Sequence, residues 1–371
     1  MTGTLDVLMA LDYYTPYVSG LTNVARDVAE GLAARGHRVR VITSRHDDAL
    51  PRREVLRGVE VERTPVLARL GKGLVSPALV RRAIAVSADA GVTNLHLPMP
   101  EAGLIALRCR SPLTVTYHCD VSLPPGLLNS AQRTGVDLSS RAALRRAARV
   151  VVSSDDYARH SRLWPAMAGH LTVIPPPCRG REGGSPTYRD GPGLHVGFLG
   201  RIVEEKGLQY LVRGFRALGD PDSRLLIAGD FADVAGGSVV DEVRRVVADD
   251  DRITLLGFLP EERIPDFYAS LDVFALPSVN AFEAFGIVQV EAMSAGVPVL
   301  ASDLPGVRVP VRETGFGVVV PPGDVDGIAA GLRELAAGVP DRVTPAEVAR
   351  REYGLTAVID AYEELFSELA G

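Results

Sequence analysis

The chain has 371 residues, 46% hydrophobic and 23% charged, a composition that suits two soluble domains with their own cores and excludes a disordered polymer. A formal net charge of −6 gives no global attraction to nucleic acid, so no nucleic-acid partner is expected and any anion site must be built locally. No apolar run reaches the roughly 20 residues a spanning helix needs, and Cys109, Cys119 and Cys178 show neither paired nor zinc-ligand spacing, which points to reduced thiols and a cytoplasmic chain.

Leu5–Leu11 reads as a first strand, and Asp6 within it separates it from a secretory signal. The loop Asp12–Gly20 leads into a helix whose Leu21, Val24, Ala25, Val28 and Leu32 recur at helical spacing, with Gly36 as its stop. Tyr13, Tyr14 and Tyr17 share that loop, either to stack on a sugar or aromatic acceptor or to pack the loop itself. Strands follow at Arg38–Thr43, Val59–Thr64, Asn94–Leu97, Leu113–Tyr117, Val150–Ser153 and Leu171–Ile174, mostly separated by crossover-length helices, so a parallel sheet is expected. Two basic stretches stand out: Leu67–Ala85, with Arg69, Lys72, Arg81 and Arg82 and a break at Pro77, and Arg141, Arg145, Arg146 and Arg149 on one helix. The first is either a solvated face or a peripheral contact with an anionic membrane, and the second either a solvated face or a contact with an anionic lipid surface or a phosphorylated acceptor.

Pro175–Gly193, rich in Pro, Gly and charge, reads as an interdomain linker and candidate hinge. Strands resume at Leu194–Leu199, Leu225–Ala228, Ile253–Leu255, Val273–Leu276, Val297–Ala301 and Val318–Val320, again with helices between. The plan is α/β with domains 1–178 and 179–354. Open parallel sheets bind ligands beyond the carboxyl ends of their strands, so the residues just after each strand are the candidates for chemistry.

Glu283 and Glu291 flank a loop-to-helix junction, Ala284-Phe285-Gly286-Ile287-Val288-Gln289-Val290. Gly286 permits close backbone approach, and the amides near Ile287 and Val288 are unsatisfied donors at a positive helix end, suited to a diphosphate. The two carboxylates can accept hydrogen bonds from sugar hydroxyls, or they are a helix-start acid and a solvated face residue. The loop Gly200-Arg201-Ile202-Val203-Glu204-Glu205-Lys206-Gly207 follows a strand and places two cations where a diphosphate could be neutralised, unless Arg201 and Lys206 pair with Glu204 and Glu205 on the surface. Asp324-Val325-Asp326 suits helix capping and Asp249-Asp250-Asp251 a solvated turn, so no metal or other cofactor is expected.

Together these segments resemble the family 4 glycosyltransferases. The resemblance runs through the Gly20 loop, Arg35-Gly36-His37, the Gly-Arg…Lys-Gly loop, Leu226-Ile227-Ala228-Gly229-Asp230 and Leu255-Leu256-Gly257-Phe258. It continues through Pro277-Ser278, the Glu-x7-Glu element, Ala292 to Val299 and Pro322-Gly323-Asp324. It implies a GT-B fold, two Rossmann-like domains with parallel sheets facing across a cleft, the helix 355–371 packing back on the first. It also implies a nucleoside diphosphate sugar donor, UDP-linked before GDP-linked, a hydroxyl acceptor held by the first domain, and retention of anomeric configuration. By the same resemblance Arg201 and Lys206 hold the diphosphate, Glu291 the ribose, Glu283 the transferred sugar, and the backbone of Phe285, Gly286, Ile287 and Val288 the phosphate and sugar. Phe258 lies by the base and Gly20 by the donor phosphate, although a serine, Ser19, precedes Gly20 where the family pairs two glycines. His118, just after a strand, contacts the sugar or orients the acceptor, assisted by Asp120. Arg201, Lys206, Glu283 and Glu291 are expected to converge. A sugar-nucleotide epimerase of this architecture and a silent nucleotide-sugar-binding partner remain as rivals. A dehydrogenase does not, because no G-x-G-x-x-G follows a first strand.

Overall fold

Strand β1 (Asp6–Leu11) is buried beyond Asp6, as befits a central strand covered on both faces. It pairs in parallel with β2 (Arg38–Ser44) on one side and β7 (Val92–Leu97) on the other, and the helix Gly20–Ala34 carries the chain between β1 and β2. The computed structural model describes residues 3–70, 73–229, 243, 245, 247 and 250–371. It divides into two compact units, Met1–Pro177 with Leu355–Gly371, and Cys178–Gly354.

The first unit is built on an eight-stranded sheet of order β10-β9-β8-β7-β1-β2-β4-β3. Its remaining strands are β3 (Arg53–Leu56), β4 (Val59–Thr64), β8 (Leu113–Tyr117), β9 (Arg149–Val152) and β10 (Leu171–Val173). All pairings are parallel except β3 with β4, an edge hairpin that the expectation of a parallel sheet did not contain. Its two-residue turn, Arg57-Gly58, has φ values of 47° and 87°, the left-handed pair a tight hairpin demands. Arg at the first position hides that turn from a search for Asn-Gly or Asp-Gly.

Leu67–Ala85 resolves into a second hairpin, β5 (Ala68–Leu70) with β6 (Gly73–Val75), and a helix, Pro77–Val86. Pro77 starts that helix and does not break it. Proline lacks only an amide that has no partner in a first turn, and Ser76 Oγ accepts from the amide of Leu79 at 3.1 Å. Lys72 lies outside the described residues. The long helix Leu127–Arg146 ends before Arg149, which opens β9, so the four arginines do not share one helix.

The helix Leu355–Ala370 belongs to the first unit. Arg35 reaches Asp360 at 2.6 Å and Glu363 at 2.5 Å, and His37 Nε2 lies 3.1 Å from Glu363. His37 Nδ1 accepts from the amide of Leu5, which leaves Nε2 as the ring nitrogen near that carboxylate. Arg35-Gly36-His37 is therefore the dock for this helix. Beneath it Tyr362 is buried, its hydroxyl 3.3 Å from Thr116 Oγ1 on β8.

The second unit carries a parallel six-stranded sheet of order β13-β12-β11-β14-β15-β16. These strands are β11 (His195–Leu199), β12 (Arg224–Ala228), β13 (Ile253–Gly257), β14 (Val273–Leu276), β15 (Val299–Ser302) and β16 (Gly317–Val320). Chain order reverses between β11 and β14, so the loops leaving these adjacent strands diverge and open a crevice at their carboxyl ends. Residues 178–193, expected to be a linker, pack on this unit. Ser185 donates its amide to Asp266 at 2.9 Å, Tyr188 its amide to Ser270 at 3.0 Å, and Arg189 pairs with Asp272 at 3.0 Å.

Candidate active site

Two loops meet at the switch point of the second sheet. The one after β11 runs from Gly200 through a single 3-10 turn, Glu204–Lys206, to Gly207, and the helix Leu208–Arg216 begins there. The one after β14 runs from Pro277 to Gly286 and opens the helix Ile287–Ser294. The amide of Val279 donates to the carbonyl of Glu205 at 2.9 Å and ties the loops together. Gly207 makes the contact sterically feasible: its φ is 66°, and a Cβ there would lie 2.2 Å from the carbonyl oxygen of Pro277.

This approach brings Lys206 onto Glu283. The ammonium donates to Glu283 Oε2, and Ser278 Oγ lies 3.5 Å from the same oxygen. Both side chains are about 15% exposed, 16% for Lys206 and 15% for Glu283, so the pair is largely withdrawn from solvent yet open on one side. Gly286, at φ 79°, turns the chain into the helix Ile287–Ser294 behind buried Phe285. Among the described residues the amides of Gly286, Ile287 and Val288 have no hydrogen-bond acceptor, as a helix N-terminus without a side-chain cap requires. A cation, a carboxylate and three free donors thus share one loop junction.

The other two members of the expected quartet do not join them. Arg201 is 53% exposed and pairs with Glu205 at 3.3 Å, the surface pairing weighed from the sequence. Glu291, 7% exposed, turns toward the segment taken for a linker. Its Oε1 accepts from Arg181 Nε at 3.0 Å and Nη2 at 2.9 Å, while Oε2 lies 3.2 Å from the Tyr268 hydroxyl. Burial raises the Glu291 carboxyl above its usual range, and the Arg181 charge pulls it back. Four lone-pair positions on a carboxylate leave it one further bond to accept. Phe258, 72% exposed, stands at the end of β13. Asp230 and Asp249 lie outside the described residues.

The first unit has its own strand-end cluster. His118 follows β8 and continues the face of Thr114 and Thr116, while β7 presents Asn94 and His96 opposite them. Asn94 Nδ2 donates to Thr114 Oγ1 at 2.9 Å and Thr116 Oγ1 at 3.1 Å, and His96 Nδ1 lies 3.0 Å from His118 Nε2. Burial pushes His118 down to about 3 and His96 well below its ordinary value, so both rings are neutral near neutrality. His96 was absent from the sequence reading. Polar residues two apart in a fully buried strand, Asn94 and His96, are the signal that could have found it.

Other candidates in this unit turn inward. Tyr14 is 1% exposed and belongs to the core, so it cannot meet an acceptor. Asp120 Oδ1 takes hydrogen bonds from Tyr117 and from Ser161, the latter at 2.9 Å, and holds the strand end to the segment 157–163. Tyr13 and Tyr17 remain at the surface, ring centroids 4.4 Å apart and 5.4 Å and 5.6 Å from His46. Ser19 caps the helix Gly20–Ala34 through Thr22, and Gly20 opens into free space. Asp324 Oδ1 accepts from the amide of Gly327 at 2.9 Å and caps its helix. Among the described residues no three His, Cys, Asp or Glu side chains gather as a metal site, and no helix is long and apolar enough to cross a membrane.

Residues 193–337 match the model "Glycosyl transferases group 1" and residues 19–177 the model "Glycosyl transferase 4-like domain". A 2-deoxystreptamine glucosyltransferase of Streptomyces kanamyceticus is 31% identical over 258 residues, 63% of this chain and 64% of that protein. A phosphatidyl-myo-inositol mannosyltransferase of Mycobacterium leprae is 30% identical over 346 residues, 88% of this chain and 86% of that protein. The chain belongs to the group 1 glycosyltransferases. Its fold is that of the GT-B enzymes: sucrose-phosphate synthase of Thermosynechococcus elongatus superposes with a TM-score of 0.78 at 19% identity, covering 98% of both chains. Anabaena HepE, solved with UDP-glucose, superposes with a TM-score of 0.72 at 20% identity, over 98% of this chain and all of that one (100%).

Proposed function

We propose that the chain is a family 4 retaining glycosyltransferase that moves a sugar from a nucleoside diphosphate donor, UDP-linked before GDP-linked, to an acceptor hydroxyl without a metal ion. The observation that carries this reading is the Lys206–Glu283 pair beside the free amides of Gly286, Ile287 and Val288 at the β11/β14 switch point. A diphosphate needs positive charge and donors in one place, and Lys206 with three amides supplies both. Arg201, released from Glu205, adds a second cation from the same loop. The HepE structure carries UDP-glucose on this fold, which supports a UDP-sugar as the first donor to test.

Each side chain then has a distinct task. Lys206 neutralises charge that develops on the departing diphosphate. Glu283, freed from Lys206, accepts from hydroxyls of the transferred sugar, and Glu291, steadied by Arg181, accepts from the ribose through its remaining lone pair. A neutral imidazole at His118 suits hydrogen bonding to a hydroxyl better than pairing with phosphate. The acceptor oxygen attacks the anomeric carbon on the face from which the diphosphate departs. The leaving phosphate oxygen takes the acceptor proton, so configuration is retained with no protein base.

Thermal-shift titration with a panel of nucleoside diphosphates and their sugars tests the donor, because preferential binding to the folded state raises its stability. Stabilisation by UDP and UDP-sugars above the other bases is expected. Single-turnover transfer of radiolabelled sugar separates an enzyme from a silent binder, and an inverted anomer by NMR would overturn retention.

A further inference from the structure

A cavity of about 350 Å³ opens in the first unit, lined by Arg45, Asp48, Arg52 and Arg69 around the apolar run Pro65 to Ala68. We propose that it is a binding site for a phosphomonoester group, carried by the acceptor of the reaction proposed above. Naming the acceptor class rests on that reading; the anion site itself does not.

Three guanidinium groups face one carboxylate, a local excess of +2 on a chain whose formal net charge is −6. The field of a surface arginine is commonly offset by an adjacent carboxylate, and here that offset is weak. Arg45 Nε donates to the carbonyl of Leu50 at 2.7 Å and its Nη2 to the carbonyl of Asp48, while its approach to the Asp48 carboxylate is a long 3.9 Å to a fully solvated group. Arg69 donates to the carbonyl of His46. Carbonyls fix a guanidinium in place without neutralising it, so the positive field survives. The Arg52 guanidinium has no hydrogen bond or ion pair among the described residues. Neighbouring acids are already engaged: Glu54 with Arg63, Glu62 with Arg53 and Arg82, and Asp47 with the amide of Ala49.

The walls are held before any ligand arrives. Arg63, 2% exposed, donates to the carbonyl of Pro51 at 3.2 Å and that of Thr15 at 2.7 Å, and its amide to the carbonyl of Arg52 at 2.8 Å. One buried side chain thereby fixes both the arginine loop and the Tyr13–Tyr17 loop, and such preorganisation lowers the ordering cost of binding. A carboxylate is satisfied by one forked arginine, whereas three guanidiniums around one space match the three oxygens and double charge of a phosphomonoester. His46 joins this site to the aromatic rings: its carbonyl holds Arg69 while its ring lies 5.4 Å from Tyr13. A ring-bearing body on Tyr13 and Tyr17 with its phosphate among the arginines is the ligand this arrangement fits.

Calorimetric titration of the full chain with glycerol 3-phosphate, and with glycerol as the neutral control, tests the site. Saturable binding of the phosphate ester alone is expected. Arg52→Glu, whose side chain holds no other element in place, and Arg69→Ala should each weaken it by roughly tenfold or more. UDP-induced thermal stabilisation, which reads the second unit, should be unchanged in both variants. Vesicles of phosphatidic acid against phosphatidylcholine distinguish the sources of phosphate: Arg52-dependent sedimentation with the former supports a lipid headgroup, and Arg52-dependent binding of the soluble ester supports a soluble acceptor. Equal affinity of the native chain and Arg52→Glu in both assays, or binding of neither probe, would overturn the proposal. Failure of UDP to stabilise even the native chain would count against the transferase reading and leave the anion result standing.

Discussion

The imidazoles of His96 and His118 share one hydrogen bond, 3.0 Å from Nδ1 to Nε2, with rings stacked 5.2 Å apart and 18° from parallel. Two neutral rings can do this, one donating and one accepting, whereas a proton added to either places a charge beside its partner in a poorly hydrated space. Both pKa values are depressed in the folded state, so the unfolded chain binds more protons once pH falls below the ordinary histidine value. Stability from this pair is full above about pH 6.5 and is lost as pH falls toward the folded values. Melting curves from about pH 7 down to about pH 4 should show a smaller loss in His96→Leu than in the native chain. The same variant should lower kcat more than donor affinity, because it frees the His118 ring to turn. An unchanged acid profile would refute the coupling.

Arg181 and Glu291 form a buried ion pair in the second unit, with Glu261 as a further partner of the arginine and Tyr268 of the carboxylate. Arg181→Leu strands a carboxylate that is 7% exposed and should cost about 3–5 kcal/mol in chemical denaturation. The double variant Arg181→Leu, Glu291→Leu removes both charges and should recover most of that loss. UDP binding separates structure from recognition: it should return in neither variant if Glu291 holds the ribose. Recovery of UDP affinity in the double variant would exclude that role.

How much of this was legible in the chain depends on what each element asks of its residues. Most of the alternation of strand and helix could be read, the two hairpins apart, because strands buried on both faces, such as β1 and β14, stand as unbroken apolar runs between amphipathic helices. Lys206, Glu283 and Gly286 could be picked out because they punctuate strand ends. Arg181 could not: its Pro- and Gly-rich segment has no period, and its partner lies 110 residues on. Tyr14 could not be told from Tyr13 and Tyr17, because in an irregular loop spacing does not fix which ring turns inward. Arg201 illustrates a third case, where an adjacent acid four residues away, Glu205, competes for the charge that the motif assigns to a ligand.

Lys206 offers the most direct test of catalysis. Lys206→Ala removes the cation paired with Glu283 and should lower kcat by about 10²- to 10³-fold, the range for loss of one preorganised stabiliser of developing charge. Because Glu283 is left without its partner, Glu283→Gln serves as the companion, with the larger loss expected in transfer and the smaller in UDP binding. Steady-state rates at saturating donor read the difference.

The helix Leu355–Ala370 should act on the first unit alone. Tyr362→Ala opens a cavity beneath it and removes the hydroxyl beside Thr116, at a cost of about 3–5 kcal/mol. Limited proteolysis should then cut the first unit while residues 178–354 stay protected. The Glu363 carboxyl is held below its ordinary value by its hydrogen bond to Arg35, so its contribution is present above the usual carboxylate range and fades as pH falls through the lowered value. Glu363→Gln should flatten that acid limb of the melting profile.

Gly207 decides whether Lys206 can reach Glu283 at all. In Gly207→Ala the new Cβ would sit 2.2 Å from a backbone oxygen, Pro277, at a φ of 66°, and neither atom belongs to a side chain that can rotate away. The loops after β11 and β14 must separate, which breaks the Val279–Glu205 hydrogen bond and parts the ion pair. Gly219 is the control: its φ is 69°, yet a Cβ there meets nothing within 4 Å, so Gly219→Ala carries only the left-handed backbone penalty of about 1–2 kcal/mol. If both variants are folded by circular dichroism, Gly207→Ala should lose UDP stabilisation and transfer while Gly219→Ala keeps both. Equal activity in the two would show that the close approach of these loops is packing alone and that Lys206 need not stand beside Glu283 to work.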